Sequence, residues 1–523
     1  MSSAVVTRPA GAWTRARRAA TARRVLPHLP LAVMMAAYVV HFCSLSISVF
    51  DGYGDPPFDM ALFDQGIWLL SRFHAPFVTV MGRDMFGDHT CFILLLVVPL
   101  YWIWPHAQLL LVLQTLLLAG AAVPVYLVAR RYLRSTVLAT AMAGVYLLNP
   151  ALQNGNLEQF HPEAFSVMGV ALAIYAALEW RPRLLVGAVI VCLMVKQDAG
   201  MLIMPLGLWV AWRRDRRWGL GIFAAAAAWQ AVAFEVIVYA FLGTTSFQAD
   251  RIPFGGMGGV LRTFFFHATT FWRYALGGHR PFYLWQMGVS VGWMFVLAPE
   301  VAAVAVLSFL ENYLSQFPYQ HQIIYHYSLP LVPVLVLGTV WAISRRRSAT
   351  SRAALTFVSF GCALVACVVW GLAPFSVHKY PHWSPDSPEV HDINAVEKAL
   401  PADAVVSAWY PYVAHIDHRV RVYMWPTPFY AVDWHLYEHP GARLPFADQI
   451  QYLFLPAGGG GSPQVFASIA AQFRVVEHVG DVYLYRRVPG AGPAASGSPG
   501  SGAAPAADGS PGSAAAPAAG AGG

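Results

Sequence analysis

Long apolar runs separated by short arginine-rich breaks make up the first three quarters of the chain. The first run, Leu29 to Phe50, reaches the ~20 residues a helix needs to cross a bilayer. Later runs predict membrane helices over about 106–128, 136–152, 164–179, 184–196, 199–212, 219–242, 281–297, 299–310, 327–343 and 354–373. The run "CFILLLVVPLYWIW" (91–104) has only 14 residues and is read as an interfacial or partly embedded segment. After about Ser376 the pattern changes. The stretch "EVHDINAVEKALPADAVVSAWYPYVAHIDHRVRVYMWP" reads helix, turn, strand, helix, strand, and "IQYLFLPA" and "FRVVEHVGDVYLYRRV" add short β-runs. From Pro489 the chain is Gly, Ala, Ser and Pro apart from Asp508, a composition that buries no core and predicts a disordered tail.

Composition turns this pattern into a class. Of 523 residues, 57% are hydrophobic and 12% charged, against about 25% charged in a soluble protein. The chain is therefore expected to be an α-helical, multi-pass membrane protein with about 11 transmembrane helices and a small α/β domain near its C-terminus. The net charge of +7 does not indicate nucleic-acid binding: only three of the 34 basic residues are lysine (Lys196, Lys379, Lys398), and most arginines cluster between apolar runs, where they set topology. Arg8, Arg15, Arg17, Arg18, Arg23 and Arg24 place the N-terminal segment (1–28) in the cytoplasm by the positive-inside rule. Eleven crossings from that start put every later arginine cluster inside. The transmembrane domain then covers 29–375, with a first external loop at 51–105, an external α/β domain at 376–488 and the tail at 489–523. No small-residue cleavage site follows the first run, so it is read as a retained helix rather than a secretory signal. The five cysteines form no CxxC pair and no zinc spacing.

Ionisable residues gather on the expected external side, where desolvation makes them functional candidates. The first loop opens with "PPFDMALFDQGIWLL", carrying Asp59 and Asp64. It continues to Asp88 and His89. "NLEQFHPEAF" carries Glu158, His161 and Glu163; "VKQDAG" carries Lys196 and Asp198; a later loop has Arg251; "ENYLSQFPYQHQIIYHY" has Glu311, His321 and His326. Five clusters on one side suggest one shared cavity. Plainer roles stand beside each. Asp59 could cap a helix after Pro56–Pro57. Glu163 suits a first helical turn, Asp88–His89 a turn, and Lys196 and Asp198 could neutralise one another. Asp59 and Asp64, five apart, lie roughly 140° round a helix and do not share a face. "GGMGG" (255–259) lacks the Gly-Lys-Ser/Thr of a phosphate loop. The many Trp and Tyr suit an interfacial belt or sugar stacking.

The motifs "FDMALFDQGIWLLSR", "GDHTCFILLLVVPLYWIWP", "LQTLLLAGAAVPVYLVAR", "NLEQFHPEAF", "KQDAG" and "YHYSLPLVPVL" occur in that order. Together they resemble the bacterial membrane proteins called the domain of unknown function 2079 family, over roughly residues 30–488. One departure is Gln197, where the family is expected to carry Glu. That family in turn is similar to the GT-C superfamily of membrane glycosyltransferases. The resemblance implies an acid in a large first external loop and a polyprenyl-phosphate sugar donor. On that basis Asp59 or Asp64 is the expected catalytic base. His89, His161 and Glu163 are expected to shape the acceptor site for a glycan or other envelope acceptor, with Asp198 beside them. Lys196, Arg251 and His326 are expected to hold the lipid phosphate. Membrane lipids are the remaining expected partner. No soluble cofactor is implied, and a divalent metal is compatible with the acids without being required. Two other readings stay open. A transporter or flippase for a lipid-linked saccharide would show internal repeats and broken helices in both halves. A non-catalytic assembly factor would tolerate loss of the membrane-level acids.

Overall fold

The computed structural model describes residues 26–54, 57–243, 251–432 and 441–490. The arginine-rich stretch before residue 26, Asp55, and all but the first two residues of the 489–523 tail lie outside the described residues. Helix α1 (Leu29–Asp51) starts with Pro30 in its first turn, where a missing N–H costs nothing. Among the described residues, five helical segments are long and apolar enough to cross a membrane: Leu26–Asp51, Gln108–Leu133, Arg216–Leu242, His326–Ser344 and Ala349–Trp370. Shorter apolar helices, among them Thr136–Leu147, Glu163–Leu178, Pro182–Leu193, Gly200–Arg213 and Ala302–Leu314, pack between them. Length and composition thus carry five of the eleven expected crossings.

Local chemistry explains why some expected helices are shorter. The run at 136–152 is split at Asn149, whose side chain accepts a hydrogen bond from the Ala151 N–H at 3.0 Å and starts a new helix at Pro150. The helix expected over 281–297 ends at Val289. Gly292 and Trp293 then take positive φ, and the Trp293 N–H returns to the Gly288 carbonyl at 2.9 Å. The Trp293 indole lies where a Gly288 side chain would be, since a Cβ there would sit 2.2 Å from the ring. The 91–104 run forms two short helical pieces, Phe92–Leu96 and Val98–Tyr101, with Leu96, Trp102 and Ile103 exposed. Elsewhere small residues let helices touch. A Cβ on Gly219 would meet the backbone nitrogen of Ala211 at 2.0 Å, and one on Gly207 that of Phe223 at 2.7 Å. This is how Gly200–Arg213 and Arg216–Val232 pack so closely.

The first loop and the C-terminal region fold together. Helix α2 (Pro57–Ser71) is followed by a hairpin of β1 (Phe77–Val78) and β2 (Arg83–Asp84). The C-terminal sheet has five strands: β3 (Val406–Ala408), β4 (Val422–Met424), β5 (Tyr452–Pro456), β6 (Phe473–Val479) and β7 (Val482–Arg487). Their order is β4-β3-β5-β7-β6; β3 is parallel to both neighbours, and β7 is antiparallel to β5 and β6. One apolar core joins Met60, Phe63, Ile67 and Val78 of the loop to Tyr412, Val413, Ile416 and Met424 of the sheet domain. Buried polar bonds fix the register of this seam. The Thr79 hydroxyl donates to the Val422 carbonyl at 2.7 Å and sits 3.0 Å from the Val422 N–H. The Gln65 amide donates to the Arg419 carbonyl at 2.9 Å and accepts the Thr79 N–H at 3.0 Å. His415 completes the seam as a wedge, stacked on Phe50 at 4.2 Å and Tyr53 at 3.9 Å between ring centroids.

Candidate functional site

The two acids that open α2 enter two different networks, as their angular separation on a helix requires. Asp59, in the first turn, faces the loop after Leu157. That loop is held from several sides. Gln159 adopts a left-handed φ of 74°, an unfavourable conformation for a residue with a Cβ. The buried Gln114 amide donates to the Gln159 carbonyl at 2.6 Å, and its oxygen accepts the His161 N–H at 2.8 Å. The Gln159 side chain in turn accepts the Met60 N–H at 2.8 Å. These bonds aim His161 at α2, so that its Nε2 lies 3.3 Å from Asp59 Oδ2.

From His161 the network runs inward. Its ring stacks on that of His326, centroids 3.6 Å apart. His326 Nδ1 is 3.1 Å from Glu158 Oε2, and the His326 backbone N–H donates to the same oxygen. His326 Nε2 lies 3.8 Å from Glu163 Oε1, which accepts a 2.9 Å hydrogen bond from Lys196 Nζ. The sequence offered Asp198 as the partner of Lys196; the ion pair is made with Glu163, and Asp198 contributes at longer range. Lys196 and Arg251 both lie over the Tyr327 ring, at 5.6 and 5.9 Å from its centroid. Asp198 and Glu311 sit within electrostatic reach of both cations. His89 lies within reach of Lys196, Glu163, Arg251 and Asp59, and its Nδ1 is 3.2 Å from the Gln197 amide. All seven expected substrate-binding residues (His89, His161, Glu163, Lys196, Asp198, Arg251 and His326) therefore converge with Asp59 although they come from five separate segments. Exposure drops sharply from Asp59 to the groups behind it. The Asp59 side chain is 32% exposed, Glu163 11%, Lys196 7% and His161 3%.

Burial sets the protonation of this loop. It pushes the Glu158 carboxyl up to about 8, with Asp59 and Glu163 adding to the effect against the His161 charge. For His161, burial opposes the charged form, but the hydrogen bond to Asp59 and the nearby carboxylates outweigh it and raise the imidazole to about 9. At neutral pH the group holds a charged His161 against Asp59.

Asp64, one turn and a half further along α2, is 1% exposed and points the other way. The Tyr101 hydroxyl donates to its Oδ1 at 2.5 Å, and His418 Nε2 lies 3.0 Å from the same oxygen. Asp417 lies beside it, and Asp64, Asp417 and His418 each offer a ligand atom within 4.8 Å of the others. Trp68 stacks on His418 at 5.7 Å. Sequence reading missed Asp417, His418 and Tyr101. Asp417 and His418 stand in "AHIDHRVRV", which carries no motif spacing, and only the fold brings them to α2. Glu158 was visible in "NLEQFHPEAF" but carried no expected role.

No match is found among curated proteins. A family model described as "Predicted membrane protein (DUF2079)" matches residues 56–439, a span that includes both acids of α2, the His161 loop, Lys196, His326 and the Asp417–His418 pair. The chain is a membrane protein, and it belongs to the DUF2079 family.

Proposed function

We propose that this protein is a GT-C-like glycosyltransferase that moves a sugar from a polyprenyl-phosphate donor to a glycan or other envelope acceptor at the external face of the cytoplasmic membrane. The observation that carries the reading is the network itself: a part-exposed carboxylate, Asp59, backed by His161, with two cations, Lys196 and Arg251, at its far end. Transfer needs both parts. The acceptor hydroxyl must lose a proton as its oxygen bonds to the anomeric carbon, and the bond from that carbon to the donor phosphate must break with charge passing to phosphate oxygen. Asp59 is positioned to take the proton. Lys196 and Arg251 supply positive charge for the departing lipid phosphate, and Tyr327 holds both in place. A single displacement of this kind inverts the anomeric centre. His89 and His326 line the path between the two ends. Asp64, the other candidate base, is enclosed by Tyr101 and His418, so the base role falls to Asp59. Eleven crossings, a cytoplasmic N-terminus and an external sheet domain belong to the same proposal.

The test is transfer by purified protein in detergent from radiolabelled polyprenyl-phosphate sugars to a cell-envelope extract. Wild type should transfer label; Asp59→Asn should lose it by at least 100-fold while eluting as a folded protein. Donor binding by wild type with no transfer to any acceptor would overturn the reading in favour of a carrier for the lipid-linked sugar.

A further inference from the structure

We propose that Asp64, Asp417 and His418 form a binding site for one divalent first-row transition metal ion, zinc or manganese, at the seam between the first loop and the sheet domain. Three observations converge on it. First, the three side chains come from two distant segments yet place one ligand atom each within 4.8 Å of one another. Second, Asp417 is 1% exposed, and among the described residues no N–H or hydroxyl donates to its Oδ2, which leaves it facing the Asp64 carboxylate. A buried carboxylate oxygen left without a donor costs free energy, on the order of 1–3 kcal/mol, and a cation removes that cost. Third, Asp64, Asp417 and His418 all line a cavity of about 260 Å³ that also touches Asp51, His106 and Glu397. It has room for an ion and several waters at ~30 Å³ each.

The ligand chemistry narrows the ion. Calcium prefers six to eight oxygens, and magnesium keeps most of its water. One imidazole nitrogen with two carboxylates suits zinc or manganese, and two carboxylates balance a dication's charge. The Tyr101 hydroxyl, 2.5 Å from Asp64 Oδ1, fixes that carboxylate from behind, and Trp68 fixes the His418 ring. The ion would staple α2 to the loop before β4. This site shares no residue with the Asp59 network, so it stands whether or not the transfer reading holds.

The experiment uses the full-length protein in detergent, stripped with a chelator and titrated with Zn²⁺ or Mn²⁺ alone. One ion per chain should bind and raise the unfolding temperature. Asp417→Asn and His418→Gln should each weaken binding at least tenfold, while Asp59→Asn binds metal as wild type does. Wild type loaded with Co²⁺ provides a readout that depends on no variant: visible bands of an oxygen- and nitrogen-ligated ion should appear and vanish on adding one equivalent of Zn²⁺. Absence of stoichiometric metal in wild type, with an unchanged melting curve, would overturn the proposal and leave Asp64 and Asp417 sharing a proton. Undiminished binding in folded Asp417→Asn and His418→Gln would overturn it equally, since the ion would then sit elsewhere.

Discussion

Replacing Lys196 with methionine separates the energetics of the buried network from its chemistry. Lys196 Nζ and Glu163 Oε1 are 2.9 Å apart, with side chains 7% and 11% exposed. At an effective dielectric of ~20 their gross attraction is about 6 kcal/mol. Desolvating both ions opposes most of that, so the intact pair contributes little net stability. Removing one partner is different, because the desolvated carboxylate stays behind. Lys196→Met should therefore cost about 3–5 kcal/mol. The charged His161, within electrostatic reach of Glu163, tempers the loss and places it toward the lower end. Lys196→Met with Glu163→Gln removes both charges and should return to within about 1–2 kcal/mol of wild type. The assay is a double-mutant cycle by denaturant unfolding of detergent-purified protein, with transfer activity measured alongside. Stability should recover in the double variant while activity stays lost. A single variant within about 1 kcal/mol of wild type, or a double variant as unstable as the single, would refute the argument that Glu163 is stranded without its lysine.

Gly219→Ala should destabilise by about 3 kcal/mol or more, because the new methyl meets backbone at Ala211 that cannot move aside; unfolding of the purified variant measures this. Thermal stability should fall as pH rises from about 6.5 toward 9. His161 has a folded value of about 9 against ~6.5 unfolded, so its contribution is complete below 6.5, is lost through 9 and amounts to about 3 kcal/mol. Glu158, raised to about 8, acts in the same direction, since its burial favours the protonated form. Melting curves of wild type and His161→Asn across this range should show the slope flattened in the variant. Thr79→Val should cost about 2–3 kcal/mol by leaving the buried Val422 N–H and carbonyl without their shared partner, read as faster proteolysis between residues 376 and 405.

The convergence of Asp59, His161, Glu163, Lys196, Arg251 and His326 was legible in the chain because a charged residue beside a long apolar run has few places to go. Parity of the arginine clusters brought those residues to one side before any contact was known. The partners of Asp64 were not legible. His418 lies 354 residues away, and nothing local in "AHIDHRVRV" marks it as a companion of α2. The direct partner of Lys196 was not legible either: Asp198, near in sequence, was the neutralising group the chain suggested, yet the 2.9 Å bond is made to Glu163, and Asp198 acts on the ammonium electrostatically. The broken helix at 281–297 escaped notice because its stop is a fold-back of Trp293 onto Gly288, within a run that is apolar throughout. Strands β3 and β4, three residues each, fall where the pattern of the 389–426 stretch predicts two short β-runs, on either side of the helical turn Tyr410–His415.

The seam between the first loop and the sheet domain also sets an order of events during synthesis. Thr79 finds its partner only 343 residues later in the chain. At translation rates of 5–20 residues per second, that interval lasts roughly 20–70 s. Throughout it, α2 packs against earlier segments such as Val97, Tyr101 and Phe160, but the part of its apolar face and of the β1–β2 hairpin that meets Tyr412, Val413, Ile416 and Met424 has no cover. A nascent chain stalled or truncated before Val422 would therefore leave part of the surface of α2 and the β1–β2 hairpin open to proteases and chaperones. Quality control of this protein is accordingly tied to the arrival of strand β4, late in the chain.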